Sequence, residues 1–501
     1  MNNFITFTCK VRLVKFMGGL MAVRLTFSSL KNAAKMIRDG KITSLELTEH
    51  LVRRIEKHNP VLNAIVTFTK EEALAQAKAA DEAFSRGESL GPFHGVPITI
   101  KDCFEVADVR TTAGAEKLSE YFPKEDSATV SRLKGAGAVI LGKTNVPIYA
   151  GDWQSYNEIF GTTNNPWDLD LTPGGSTGGG AAAVAAGLSF ISLGSDIGGS
   201  IRVPSIFCGL YGHKPTIKIL PYRGHIPRRH TPLLTVAGPI ARCPEDLKLA
   251  LEVMGGPDRE EARAYSWALP TSRHGSLSEY KIGYVLDHPN CPLTKEVKEA
   301  VRVAVDKLRG EVSTLEEGWP QGVDPVKQYI NYRFLHASVY ASFLKDEEFD
   351  ELKVRAKDQD GSHEAFMALG WTAPMKLYHK AMADRVKAQA AWQKFFEIHD
   401  VFLLPASFTT AFPHDHSEPQ WQREIPIPEG PRTYEDIYFW ISFATLTGLP
   451  ATVAPIGPSS SGLPIGIQII GPYLEDATPI DFATRTKRLF GGFKPPAGYE
   501  E

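Results

Sequence analysis

The sequence predicts an α/β fold, one sheet covered by helices on both faces, and three observations carry that prediction. Apolar runs at 96–100 and 138–142 read as buried strands, and 189–194 and 280–285 read as further strands. Segments of helical periodicity stand between these runs, and strand–helix alternation is the pattern of a helix-covered sheet. The composition, 43% hydrophobic and 23% charged over 501 residues, suits a globular chain with an ample core.

Taken in order, a first helix begins at Ser28-Ser29-Leu30, where a serine hydroxyl can cap the opening turn. A second starts at Ser44 and carries Leu45, Leu47, Leu51, Val52 and Ile55, and a third spans 70–86. Gly91 and Gly95 punctuate the entry to the strand at 96–100, then 127–136 reads as helix and 138–142 as strand. The alanine- and glycine-rich segment 178–187 suits a close-packed buried helix, and 189–194 is a strand feeding a glycine turn. Helices are expected at 243–255 and 293–309. Between 311 and 440 the chain turns helical and aromatic, with Trp319, Tyr329, Tyr332, Phe334, Tyr340, Phe343, Trp371 and Tyr378, interrupted by a strand at 401–405. A turn at 447–451 and a last core strand within 462–472 close the pattern. With no repeat or linker, residues 28–490 read as one domain with a helical insert over 311–440, flanked by an extension at 1–27 and a tail at 491–501.

The formal net charge of −3 gives no reason to expect a nucleic-acid partner. Five scattered cysteines, without CxxC spacing, argue against a disulfide framework or a structural zinc site and fit a reducing cytoplasm. Residues 1–38 hold seven basic residues and no acidic one, as a transit peptide does, although an upstream start with initiation at Met17 or Met21 accounts for it more simply. Lys10, Arg12 and Lys15 interrupt any stable membrane span there.

The chemistry is concentrated in two glycine-rich turns. Pro173-Gly174-Gly175-Ser176-Thr177-Gly178-Gly179-Gly180 holds one serine, and Asp196-Ile197-Gly198-Gly199-Ser200-Ile201-Arg202 holds another. Glycine lets a backbone approach a substrate closely and aim its amides inward. A serine hydroxyl needs a proton acceptor to be a nucleophile, yet no histidine lies near either turn until His213. Lysine can serve if burial keeps it neutral, and Lys101 ends the apolar strand of Pro97-Ile98-Thr99-Ile100.

Together, Lys101, Ser176 and Ser200 resemble the Ser–cisSer–Lys triad of the amidase signature family. The resemblance runs over about 28–490 and includes Gly142-Lys143-Thr144-Asn145, Gly161-Thr162-Thr163-Asn164-Asn165-Pro166-Trp167 and the segment from Phe207 to Thr216. It implies the amidase signature fold, a large mixed twisted sheet flanked by helices, with the site at the glycine-rich strand ends. It further implies that Ser200 is the nucleophile, that Ser176 follows a cis peptide bond and relays the proton, and that Lys101 is base and then acid. Ile197, Gly198, Gly199 and Ser200 would form the oxyanion hole, Asp196 and Arg202 would brace the turn, and Asp152, Trp153, Tyr156 and Cys208 are candidates for the substrate pocket. No metal or cofactor is implied; the partner is a small-molecule amide, with aryl or bulky apolar amides favoured and esters or carbamates open. Homo-oligomers are common in the family. With no membrane span like that of its fatty acid amide hydrolases, the chain reads as a soluble bacterial-type amidase. Two positions depart from the pattern: Thr177 replaces a frequent serine and its methyl would crowd the triad, and Gly180 would loosen the helix that follows.

Three other readings compete. The glutamine-hydrolysing component of a tRNA-dependent amidotransferase shares the triad. Gly174-Gly175-Ser176-Thr177-Gly178 also matches the nucleophile elbow of α/β-hydrolases, which would make Ser176 the nucleophile. A nucleotide-binding module would use the same glycines, but the run lacks the lysine and hydroxyl that close a phosphate loop. His414-Asp415-His416 is too slight a motif to imply a metal.

Overall fold

A computed structural model describes residues 21–227, 233–358 and 362–500. Eleven strands form one mixed sheet: β1 Ile65–Phe68, β2 Pro97–Lys101, β3 Val139–Thr144, β4 Ile191–Asp196, β5 Tyr211–Lys214, β6 Val236–Ala241, β7 Lys281–Tyr284, β8 Thr314–Glu317, β9 Val401–Pro405, β10 Ala451–Pro458 and β11 Pro464–Ile470. Their order across the sheet is β1-β3-β2-β4-β6-β5-β10-β11-β9-β7-β8. β2 is parallel to both β3 and β4, and β7 to both β8 and β9; the strands between these groups run antiparallel.

Every residue of β2, β3, β4 and β11 is buried, which fits the mainly apolar composition of their sequences. Ser29 caps the Leu30–Arg38 helix through the Asn32 amide, and Thr43 with Glu46 forms a capping box on Ser44–Leu62. The insert contributes helices Pro325–Ser338, Asp346–Arg355, His363–Trp371 and Met375–Phe396, framed by β8 and β9.

Packing extends past both expected domain limits. Ala22, Leu25 and Thr26 are buried ahead of residue 28, and at the other end the Tyr499 carbonyl accepts from the buried Arg54 guanidinium at 2.8 Å. The basic stretch before Met21 lies outside the described residues. Among those described, no helix is long and apolar enough to cross a membrane.

Candidate active site

Lys101 is the last residue of β2, and Ser195 and Asp196 end its parallel neighbour β4, with Ile100 in register with Leu193. The carboxyl ends of the two strands therefore bring these side chains together, the usual place for chemistry in such sheets. Lys101 is wholly buried; its Nζ donates to Ser176 Oγ at 2.8 Å and to Ser195 Oγ at 3.1 Å. Burial pushes the Lys101 ammonium down to about 8 from 10.5, and the nearby Cys103 and Asp196 work against that shift. Behind it, Lys143 pairs with Asp102 at 3.1 Å and donates to Thr111 Oγ1 at 2.7 Å.

Ser176 follows a cis Gly175–Ser176 peptide bond and precedes the Gly178–Ala185 helix. A side chain at Gly175 would come within 2.6 Å of the Trp153 backbone, so only glycine fits there. The two serine turns are joined directly, the Thr177 amide donating to the Ser200 carbonyl at 3.1 Å. The departures at 177 and 180 also meet. A Cβ at Gly194 would sit 2.8 Å from the Thr177 methyl, and one at Gly180 would sit 3.1 Å from that methyl and 2.5 Å from Ser192 Oγ. The threonine methyl is thus housed between two glycines. Gly180 lets the helix lie close on β4, where it was expected to loosen it.

The Ser200 turn is held by a buried ion pair. Arg202 donates from Nε and Nη2 to Asp196, and its remaining hydrogens reach Gln468 Oε1, Thr445 Oγ1 and the Ile441 carbonyl. Burial alone would raise the Asp196 carboxyl, but Arg202 and the Ile201 amide hold it below its ordinary value. Gly199 takes φ +92°, and its amide donates to Asp196 Oδ1 at 3.0 Å. Gly199 therefore drops out of the expected oxyanion donors, because its N–H is already committed. None of the described hydrogen bonds uses the amides of Ile197, Gly198 or Ser200. The Tyr332 hydroxyl donates to the Ile197 carbonyl at 3.0 Å; in a planar trans peptide this turns the Gly198 N–H the opposite way.

Two small cavities, each about 20 Å³, flank Ser200 and share Ala150, Ile197 and Tyr340. One is walled by Asp152, Trp153, His336 and Tyr438; the other holds Ser176, Ser195, Tyr222 and His225. Of the residues expected to line a pocket, Asp152 and Trp153 do so. The Asp152 carboxylate is occupied, however, accepting from Arg423 at 2.7 Å and from the hydroxyls of Tyr156 and Tyr434. Tyr156 stands behind this wall, stacked on His416. Cys208 is not a pocket residue: it is fully buried in a small cluster with Ala181, Val184 and Ile240, and burial pushes its thiol well up. A larger cavity, about 610 Å³, lies among the insert helices against Phe334, Phe366, Leu369 and Leu377, and contains none of the triad residues.

An elbow geometry is not what surrounds Ser176. No strand of the main sheet runs directly into its turn, and its basic neighbour is a lysine. Residue order alone gave no sign of His225 or Tyr438 at the site, and Tyr340 stood only among the aromatic residues of the insert. Only Ser195, adjoining Asp196 at the end of a buried strand, carried a local cue.

The family model "Amidase" matches residues 46–479. A glutamyl-tRNA(Gln) amidotransferase subunit from Roseiflexus sp. (strain RS-1) is 34% identical over 488 residues, covering 92% of this chain and 96% of that protein. A solved chain from a vestigial protein complex bearing on the origins of an s-triazine catabolic enzyme superposes with TM-score 0.79 at 28% identity, covering 93% of this chain and 99% of that one. A bacterial aryl acylamidase of the amidase signature enzymes shares the fold, with TM-score 0.78 at 24% identity over 95% and 98% of the two chains.

Proposed function

This chain belongs to the amidase signature family, and we propose that it hydrolyses a carboxamide through an acyl-enzyme on Ser200, with Ser176 and Lys101 moving the proton. The observation that carries this reading is the 2.8 Å hydrogen bond between Lys101 Nζ and Ser176 Oγ in a buried site where lysine is easily deprotonated. With Lys101 neutral, Ser200 Oγ attacks the amide carbonyl. Its proton passes to Ser176 Oγ as the Ser176 proton passes to Lys101 Nζ. The tetrahedral oxyanion is met by the amides of Ile197, Gly198 and Ser200, donors of a kind each worth ~10²–10³ in rate. The proton on Lys101 then returns through Ser176 to the amide nitrogen, the C–N bond breaks, and the amine leaves. An amine leaves poorly without that proton. Water cleaves the acyl ester by the same route.

Aromatic side chains on one part of the cavity wall suit a neutral acyl group. Trp153, Tyr340 and Tyr438 face it, and the Asp152 carboxylate is spent on Arg423, Tyr434 and Tyr156, so it is not offered to an α-ammonium group. The second reading, hydrolysis of glutamine within a tRNA-dependent amidotransferase, is the one the named relatives favour, on the strength of 34% identity across nearly the whole chain. Both readings share the triad and differ in the acyl group. Release of amine from chromogenic aryl amides, and of ammonia from L-glutamine, measured for the parent and Ser200→Ala, separates them. Aryl-amide turnover lost in Ser200→Ala supports the first reading. Glutamine turnover alone establishes the second, and activity that survives Ser200→Ala overturns the assignment of the nucleophile.

A further inference from the structure

We propose that His225 is a positioning residue that fixes the direction of the hydrogen bonds around Lys101; the inference rests on Lys101 being the base. A neutral lysine has one lone pair and two N–H groups, and it can take the Ser176 proton only if the lone pair faces Ser176 Oγ. Both N–H groups must then find acceptors elsewhere. Ser195 supplies them, its Oγ at 3.1 Å and its carbonyl at 3.5 Å from Lys101 Nζ. A Ser195 hydroxyl that accepts from Lys101 must turn its own proton the other way. Among the described residues, His225 Nε2 lies 2.9 Å from Ser195 Oγ, whereas Cys103 Sγ is 3.9 Å away and a poor acceptor. Cys103 Sγ also lies 3.1 Å from the same Nε2, and burial pushes its thiol up, so it stays protonated and is no anionic partner for the ring.

His225 Nε2 therefore serves as acceptor, and each donor in the series points away from the nucleophile: Ser176 to Lys101, Lys101 to Ser195, Ser195 to His225. With that acceptor removed, the Ser195 hydroxyl can rotate and donate to the Lys101 lone pair, in competition with Ser176. The ring is held for the task, stacked on Tyr222 at 4.4 Å and set edge-on to Phe104 at 4.8 Å, in the same cavity as Ser176 and Ser200. A strand end and a loop thirty residues apart thus meet behind the lysine.

The test compares parent, His225→Gln, His225→Asn and His225→Met, each also in a Ser195→Ala background, on whichever amide the parent turns over, with Ser200→Ala as control. Gln can place an acceptor where Nε2 lies; Asn is too short, and the Met thioether is only a weak acceptor. Removing one oriented hydrogen bond should lower kcat by roughly ten- to a hundredfold in the Met and Asn variants with KM little changed. Gln should recover most of that loss, and in the Ser195→Ala background the His225 substitutions should cost nothing further. Should Met fail to fold, the Gln and Asn pair carries the comparison. Equal losses in Gln and Asn, an effect confined to KM, or additivity with Ser195→Ala would overturn the role of His225. Activity that survives Ser200→Ala would instead overturn the triad reading beneath it.

Discussion

Raising the pH is the simplest perturbation of this site, and its effect can be worked from the burial of Lys101. The group is fully buried and pushed down to about 8 from 10.5. A lowered lysine pKa means that the neutral, basic form appears at lower pH than it would in water, so activity should rise with pH and level off above about 8. For a midpoint near 8, roughly 1% of the enzyme is competent at pH 6, about 10% at pH 7 and about 90% at pH 9. A lysine titrating at its ordinary value would leave only about 0.03% competent at pH 7, a difference of ~300-fold. The assay is kcat/KM for an amide from pH 5.5 to 10.5, with thermal unfolding followed alongside to exclude loss of fold. Expected is a slope of one on the acid side and a plateau on the other. A flat profile, or a midpoint near 10.5, would refute the role of buried Lys101 as the base.

The remaining predictions concern the turns. Lys101→Ala should lower amide hydrolysis by ~10²–10⁴ and hydrolysis of a matched ester by less, because an alkoxide leaves without full protonation; equal losses would remove the acid role from Lys101. Gly199→Ala would force φ +92° on a residue with a Cβ and place that atom 2.9 Å from Val203 Cγ2, so a loss of about 1–3 kcal/mol in chemical denaturation is expected, together with loss of turnover. Arg202→Met strands the buried Asp196 carboxylate, and should cost about 3–5 kcal/mol in the same measurement. Gly180→Ala should lower the melting temperature through contact with Ser192 and the Thr177 methyl, and Thr177→Ser should restore part of it; a double-mutant cycle showing no coupling would separate the two positions.

What could be read in advance was set by how local each cause is. β2, β3 and β4 are buried on both faces, so their apolar runs are self-evident, and the glycines of the two serine turns answer to backbone shape within a few residues. β5 escaped notice because its buried residues include His213 and Lys214, polar groups satisfied by Asp476, Thr452 and the Pro215 carbonyl from elsewhere in the fold. β10 carries Pro455 and Pro458, which argue against a strand until a bulge between Pro455 and Gly457 is seen to absorb the irregularity. β1 and β8 are four-residue strands at the sheet edges, too short and too exposed for a pattern. At the site the same division holds. Lys101, Ser176 and Ser200 lie in motifs, whereas His225, Tyr340 and Tyr438 arrive through long connections that no window along the chain can see.

The brace on the Ser200 turn has a consequence for how the enzyme comes into being. Arg202 is fastened to Ile441, Thr445 and Gln468, which follow it by 239, 243 and 266 residues. A chain still being translated has long since emitted both serines and the lysine before any of those anchors exists. The turn that carries Ser200 is therefore braced last although Lys101, Ser176 and Ser200 are made first, and a chain that stops between Ser200 and Ile441 holds all three side chains and none of these anchors. The order in which the chain is made thus runs opposite to the order in which this turn can be secured.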